Sequence, residues 1–133
     1  MSGTSRGGCH CGAVRYEVKV ALDNVAHCHC SICRRTSGGT LVTWATVPRT
    51  ALRWTVGTPA EYASSLSCTR YFCPRCGAQL ALFTTHSPET LDLTVATLDE
   101  PELAPPNRHI WVGTRLPWLH VDEGLPQEQE EQL

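Results

Sequence analysis

The chain has 133 residues, enough for one domain and a short tail but not for a separate cofactor-binding module. With 41% hydrophobic and 18% charged residues it is neither intrinsically disordered nor membrane-spanning, and its longest apolar run, Leu80 to Phe83, is far too short to cross a bilayer. Eleven basic residues stand against thirteen acidic ones for a net charge of −2, and Lys19 is the only lysine, a balance that disfavours nucleic acid as a partner. The opening MSGTSRGGCHCG carries no apolar targeting stretch, so the expectation is a cytoplasmic protein with no membrane partner. Thiols stay reduced in that compartment, where closely spaced cysteines hold metal or react rather than form structural bridges.

In chain order, residues 13–20 alternate apolar and polar side chains as a half-buried strand does. Further short β-rich runs follow at 40–47, 52–56, 60–64, 69–73, 79–84, 91–97 and 108–112, separated by Gly, Pro, Ser and Thr clusters. They predict a mostly β domain over residues 1–121. One short helix is predicted from Ser31, a good N-cap residue, through Cys33, Arg34 and Arg35 to the Gly38-Gly39 break. Residues 122–133 form an acidic tail whose LPQEQEEQL offers little apolar surface to offset the entropy of ordering it, so it is expected to stay unfolded.

The chemistry lies in the cysteines. Seven of the eight fall in three clusters: Cys9 and Cys11 in CHCG, Cys28, Cys30 and Cys33 in CHCSIC, and Cys73 with Cys76 in CPRCG. Thiolates so spaced on a turn converge on one ion, and glycine after CHC and CPRC frees the backbone to fold beneath it. The simplest partition is four plus three. Cys9, Cys11, Cys73 and Cys76 make a closed tetrahedral zinc site that staples the fold, while Cys28, Cys30 and Cys33 leave a fourth position for water or an incoming thiol. A competing reading completes the second site with His27, His29 or His10. Cys68 stands apart and reads as a buried free thiol on or near a strand.

At these residues the sequence resembles the glutathione-dependent formaldehyde-activating enzyme family, which includes centromere protein V. CHCGAVRYEV at 9–18, HCHCSICRRTSG at 27–38 and YFCPRCGAQL at 71–80 resemble the family's three cysteine blocks in order and spacing, and RHIWV at 108–112 with Trp118 resembles its C-terminal block. The resemblance implies a zinc-stapled β-tent of short antiparallel strands. It also implies two zinc ions, structural on Cys9, Cys11, Cys73 and Cys76 and catalytic on Cys28, Cys30 and Cys33. The implied activity is that of a carbon-sulfur lyase joining a small thiol such as glutathione to a small carbonyl compound, formaldehyde in the family's name.

Three thiolates on a divalent ion carry a formal charge of −1, which Arg34 and Arg35 are placed to temper while holding a substrate carboxylate. His109 and Trp111 alternate with Ile110 on a predicted strand and so share a face, where His109 is a candidate acid or base and Trp111 a pocket wall. The plainer reading makes His109 a surface residue and puts Trp111, with Trp44, Trp54 and Trp118, in the core. Two other functions compete with the enzyme: a non-catalytic binding module with both zincs structural, and a zinc store or thiol redox sensor exploiting the labile three-cysteine site.

Overall fold

The computed structural model of the chain describes residues 3–131. Among them are ten strands and one α-helix: β1 (Thr4–Gly8), β2 (Arg15–Lys19), β3 (Val25–Cys28), α1 (Ser31–Ser37), β4 (Val42–Pro48), β5 (Leu52–Val56), β6 (Ala60–Ala63), β7 (Cys68–Phe72), β8 (Gln79–Thr84), β9 (Thr90–Thr94) and β10 (Arg108–Ile110). The expected mostly β architecture is therefore present. The strands form two sheets, β1-β2-β5 and β10-β3-β4-β9-β8-β7-β6. Pairing is antiparallel except between β10 and β3, which run parallel with His109 opposite His27 and Ile110 opposite Cys28. The predicted strand at 91–97 ends at Thr94 in a 3-10 turn, and that at 108–112 ends at Ile110.

β1 and β3 are not foreseen from the sequence. TSRGG lacks the branched and aromatic residues that mark strands, and its glycines are there for space: a Cβ on Gly7 would lie 2.5 Å from the Tyr16 hydroxyl and from the Thr97 carbonyl.

Alternation along the large sheet sorts its side chains into two cores. Val25, Ala45, Val47, Leu80 and Leu93 face the small sheet and pack with Val14, Tyr16 and Val18. The opposite parity, Ala26, Cys28, Val42 and Trp44, packs with Cys33 and Ile110 beneath α1. The second core is small and holds two of the cysteines, so the large sheet positions the candidate site directly.

The tail departs from its expected disorder. From Asp122 to Glu131 it packs along β10, where His109 N donates to Pro126 O at 2.8 Å, Glu128 N to His109 O at 2.9 Å and Val112 N to Glu128 O at 3.2 Å. Arg108 supplies the physical reason, pairing with Glu128 at 3.0 Å and Glu131 at 3.4 Å, so the acidic residues that suggested disorder meet a strand-borne cation. Gln132 and Leu133, expected to share that disorder, lie outside the described residues.

Candidate metal centres

Cys9 and Cys11 follow β1, Cys73 and Cys76 follow β7, and the four sulfurs lie within 4.8 Å of one another. The two turns repeat one design. Cys9 N donates to Val14 O at 3.0 Å and Gly12 N to Cys9 O at 3.3 Å, while Cys73 N donates to Ala78 O and Gly77 N to Cys73 O, both at 2.9 Å. Gly12 and Gly77 close them at φ 80° and 81°, the left-handed conformation glycine adopts without strain. Cys11 Sγ is 3.7 Å from both Cys9 Sγ and Cys73 Sγ. Tetrahedral zinc with ligands at ~2.3 Å needs sulfurs ~3.8 Å apart, so the donor set fits that ion. Hydrogen bonds from the Ala78 and Cys11 backbone bring the Cys76 thiol down to about 6.

The second cluster is built at a strand-to-helix junction. Cys28 ends β3, Cys30 is the N-cap of α1 and Cys33 sits in its first turn, with all three sulfurs within 4.8 Å of one another. Cys30, rather than the expected Ser31, caps the helix: its Sγ accepts from Cys33 N at 3.2 Å. Bonds from the Cys28 and Cys33 thiols, with backbone N–H groups of Cys33 and Ile32, hold the Cys30 thiol far below the ordinary range. The same sharing with Cys30 and Cys33, reinforced by burial, pushes Cys28 up. The cluster is thus organised around negative charge on sulfur. Among the described residues no histidine, carboxylate or further cysteine joins it as a fourth donor. His29 Nε2 instead meets His109 Nδ1 at 2.8 Å, and His27 bonds Thr43 and Asp122.

The three cysteines line a pocket of about 330 Å³ whose walls include Trp44, Arg70, Leu82, Asp92, Ile110 and Trp111. Strand register assembles its floor: Arg70 on β7 pairs with Leu82 on β8, Leu82 with Asp92 on β9, and Asp92 with Thr46 on β4. Arg70 is buried, and its guanidinium donates to Cys33 Sγ at 3.9 Å. Thr46 Oγ1 donates to Asp92 Oδ1 at 2.6 Å, and burial pushes the Asp92 carboxyl up.

A family model described as glutathione-dependent formaldehyde-activating enzyme matches residues 4–114. The chain belongs to that family. A relative from Halomonas elongata, provisionally named a glutathione-dependent formaldehyde-activating enzyme, is 29% identical over 133 aligned residues, covering 87% of this chain and 80% of its own. A crystal structure of a Rhodobacter sphaeroides protein matches with a TM-score of 0.57 at 24% identity, covering 92% of this chain and 98% of that one, a likeness of fold.

As a member of the formaldehyde-activating family, the chain brings together the two cysteine groups that its sequence suggests, but arranges their surroundings differently. Arg34 donates to Thr114 O at 3.0 Å, Arg35 is exposed, and neither lines the pocket, although Thr114 does. The arginine that lines it is Arg70. The expected common face of His109 and Trp111 does not exist, because Trp111 adopts φ 56° and breaks the alternation. Trp111 walls the pocket while His109 is buried in a stack with His29. The expected core role holds for Trp44, whereas Trp118 is exposed. Cys68 is a half-buried free thiol on β7. Arg70 and Asp92 had one sequence signal, a charged residue where strand alternation places an inward position.

Proposed function

We propose that this chain is a zinc-dependent carbon-sulfur lyase that makes or breaks the hemithioacetal bond between a small thiol and a small aldehyde, with glutathione and formaldehyde the pair its family's name suggests. The observation that carries this reading is a three-sulfur cluster in the wall of a pocket, with no fourth donor among the described residues. In this proposal Cys9, Cys11, Cys73 and Cys76 hold a structural zinc ion, and Cys28, Cys30 and Cys33 hold a second. Bound there, zinc supplies the Lewis acidity that turns a thiol into a nucleophile at neutral pH.

The reaction adds S–H across C=O. A sulfur–carbon bond forms as the carbonyl π pair moves to oxygen, which gains the proton that sulfur lost, and cleavage runs the same steps backwards. The chain's part is to position and desolvate. The hydrogen bond from Cys33 N fixes the Cys30 sulfur at the helix start. Trp44, Leu82, Ile110 and Trp111 give the pocket apolar walls. Asp92, its carboxyl raised by burial, is a pocket group suited to hold a proton for the oxygen and take it back in cleavage; Glu131, raised in the same way, is the other carboxyl lining the pocket.

The test follows exchange between free and thiol-bound carbon-13 formaldehyde by NMR with the zinc-loaded chain and glutathione. Acceleration by the parent and not by Cys30→Ser is expected. If the fully metallated chain accelerates exchange with neither glutathione nor any other small thiol, the lyase reading fails and the binding-module reading takes its place.

A further inference from the structure

Arg70 is the one buried residue of β7, only 5% exposed, and its hydrogen-bond partners are peculiar. Its Nε donates to Ser64 Oγ at 3.1 Å, and one terminal nitrogen donates to Thr36 Oγ1 at 3.2 Å and Gln79 Oε1 at 3.0 Å. The other terminal nitrogen faces Cys33 Sγ at 3.9 Å. Three of these partners are neutral oxygens. Among the described residues no carboxylate lies within 4.0 Å of the guanidinium, although the chain pairs Arg15, Arg53 and Arg108 with acids elsewhere.

A guanidinium stays charged at any pH the protein meets, and burying it without a counter-charge is strongly unfavourable. Neutral oxygens satisfy its N–H groups but not its charge. Among the described residues the one group it touches that becomes anionic on binding a metal is the Cys33 sulfur. Three thiolates around a divalent ion sum to −1, and one guanidinium brings the sum to zero. A fourth thiolate entering the open position would raise the cluster to −2 without Arg70 and to −1 with it, whereas a neutral ligand leaves both sums unchanged.

We propose that Arg70 is a positioning residue that supplies the counter-charge of the three-cysteine centre and makes its open position favour an anionic sulfur over a neutral ligand. This rests on the metal assignment proposed above but not on turnover. Arg70 acts through Cys33, held in place by Ser64, Thr36 and Gln79, so the charge stands ready before any substrate arrives. That preorganisation is what a site selecting thiolates in competition with water requires.

The experiment uses the full chain loaded with cobalt(II), whose visible spectrum reports ligands entering the open position. Mercaptoethanol and imidazole are titrated against the parent, Arg70→Met and Arg70→Lys. Loss of a charged neighbour of a metal site typically costs about 10–100-fold. Arg70→Met is expected to weaken mercaptoethanol by about that factor with little change for imidazole, and Arg70→Lys to restore most of the thiol affinity. Equal weakening of both ligands, or of neither, overturns the proposal.

Should Arg70→Met fail to load metal, melting temperatures decide. In the parent the substitution is expected to destabilise, whereas in a Cys28→Ser, Cys30→Ser, Cys33→Ser background, where the cluster carries no charge, it is expected to stabilise by removing an uncompensated buried cation. Destabilisation or failure to fold in both backgrounds makes Arg70 a scaffold residue and refutes the counter-charge role. A parent chain that loads one metal ion rather than two would instead refute the metal assignment, a result read from stoichiometry alone.

Discussion

Serine at Cys73 and serine at Cys30 remove one sulfur each, yet the structure assigns them very different costs. Cys73 is fully buried, and its sulfur lies 3.7 Å from Cys11, which is 62 positions earlier in the chain. A structural zinc site of this kind supplies roughly 10–16 kcal/mol, as much as the whole stability of about 7–20 kcal/mol expected of a chain this size. Losing a ligand there therefore consumes most of the margin, and Cys73→Ser should be unfolded or aggregated at 37 °C. Cys30 caps a seven-residue helix by accepting from Cys33 N. Serine is itself a favoured cap, so the helix start survives at a cost near ~1 kcal/mol or less, and what is lost is a metal ligand. Metal content by atomic absorption, with circular dichroism melting on the same samples, should give about one ion and a cooperative transition for Cys30→Ser. If the two variants unfold alike, or if Cys73→Ser melts like the parent, the division into structural and working sites is wrong.

Asp92→Asn keeps the Thr46 hydrogen bond but cannot exchange a proton with the adduct oxygen; kcat should fall about 100-fold or more while Co(II) spectra and thiol affinity stay put, and an unchanged kcat removes Asp92 from the reaction. Deleting residues 122–133 takes away four backbone bonds to the β10 region and both acidic partners of Arg108, so the melting temperature should drop by roughly 5–10 °C, and an unchanged value would show that the tail does not dock in solution. Tyr16 is 1% exposed, and burial raises its hydroxyl to about 12. Above about pH 10 the unfolded chain loses this proton while the native chain keeps it, so stability present below pH 10 should decline by roughly 2–3 kcal/mol towards pH 12. Urea titrations across that range should show the decline in the parent and a flatter profile in Tyr16→Phe.

What the sequence makes legible is what lies close along the chain. The cysteines sit on turns of a few residues, so spacing marks the three clusters and even the glycine conformation at Gly12 and Gly77, while ligand arithmetic and the family resemblance divide the clusters into two groups. The helix is equally local, running from the cap at Cys30 to the left-handed Gly38. The pocket is not local. Its floor comes from Arg70, Leu82, Asp92 and Thr46, four residues brought into one row by the pairing of four strands, and register of that kind is invisible in any one strand's pattern. Arg34 and Arg35 look like the cluster's cations because they follow Cys33 directly, but neither lines the pocket. Trp111 misled for a different reason: period-two alternation presumes extended backbone, and a single left-handed residue cancels it.

The orientation of His29 has a cause that begins at the far end of the chain. Asp122 O is a pure acceptor, so the 2.9 Å contact with His109 Nε2 requires the proton on that nitrogen, and in the neutral ring this leaves Nδ1 as an acceptor. His29 Nε2, at 2.8 Å, must then be the donor, and a nitrogen that carries a proton cannot ligate a metal. The remaining lone pair of His29, on Nδ1, is buried without a partner and does not reach the sulfurs, although His29 sits between Cys28 and Cys30 in the chain. The histidine that sits between two of the cluster's cysteines is thereby tied to His109 and, through it, to Asp122, a residue beyond the stretch matched by the family model. Docking of the acidic segment against Arg108 is accordingly more than an addition to stability: it places the carbonyl to which His109 is bonded and, through His109, the partner of His29.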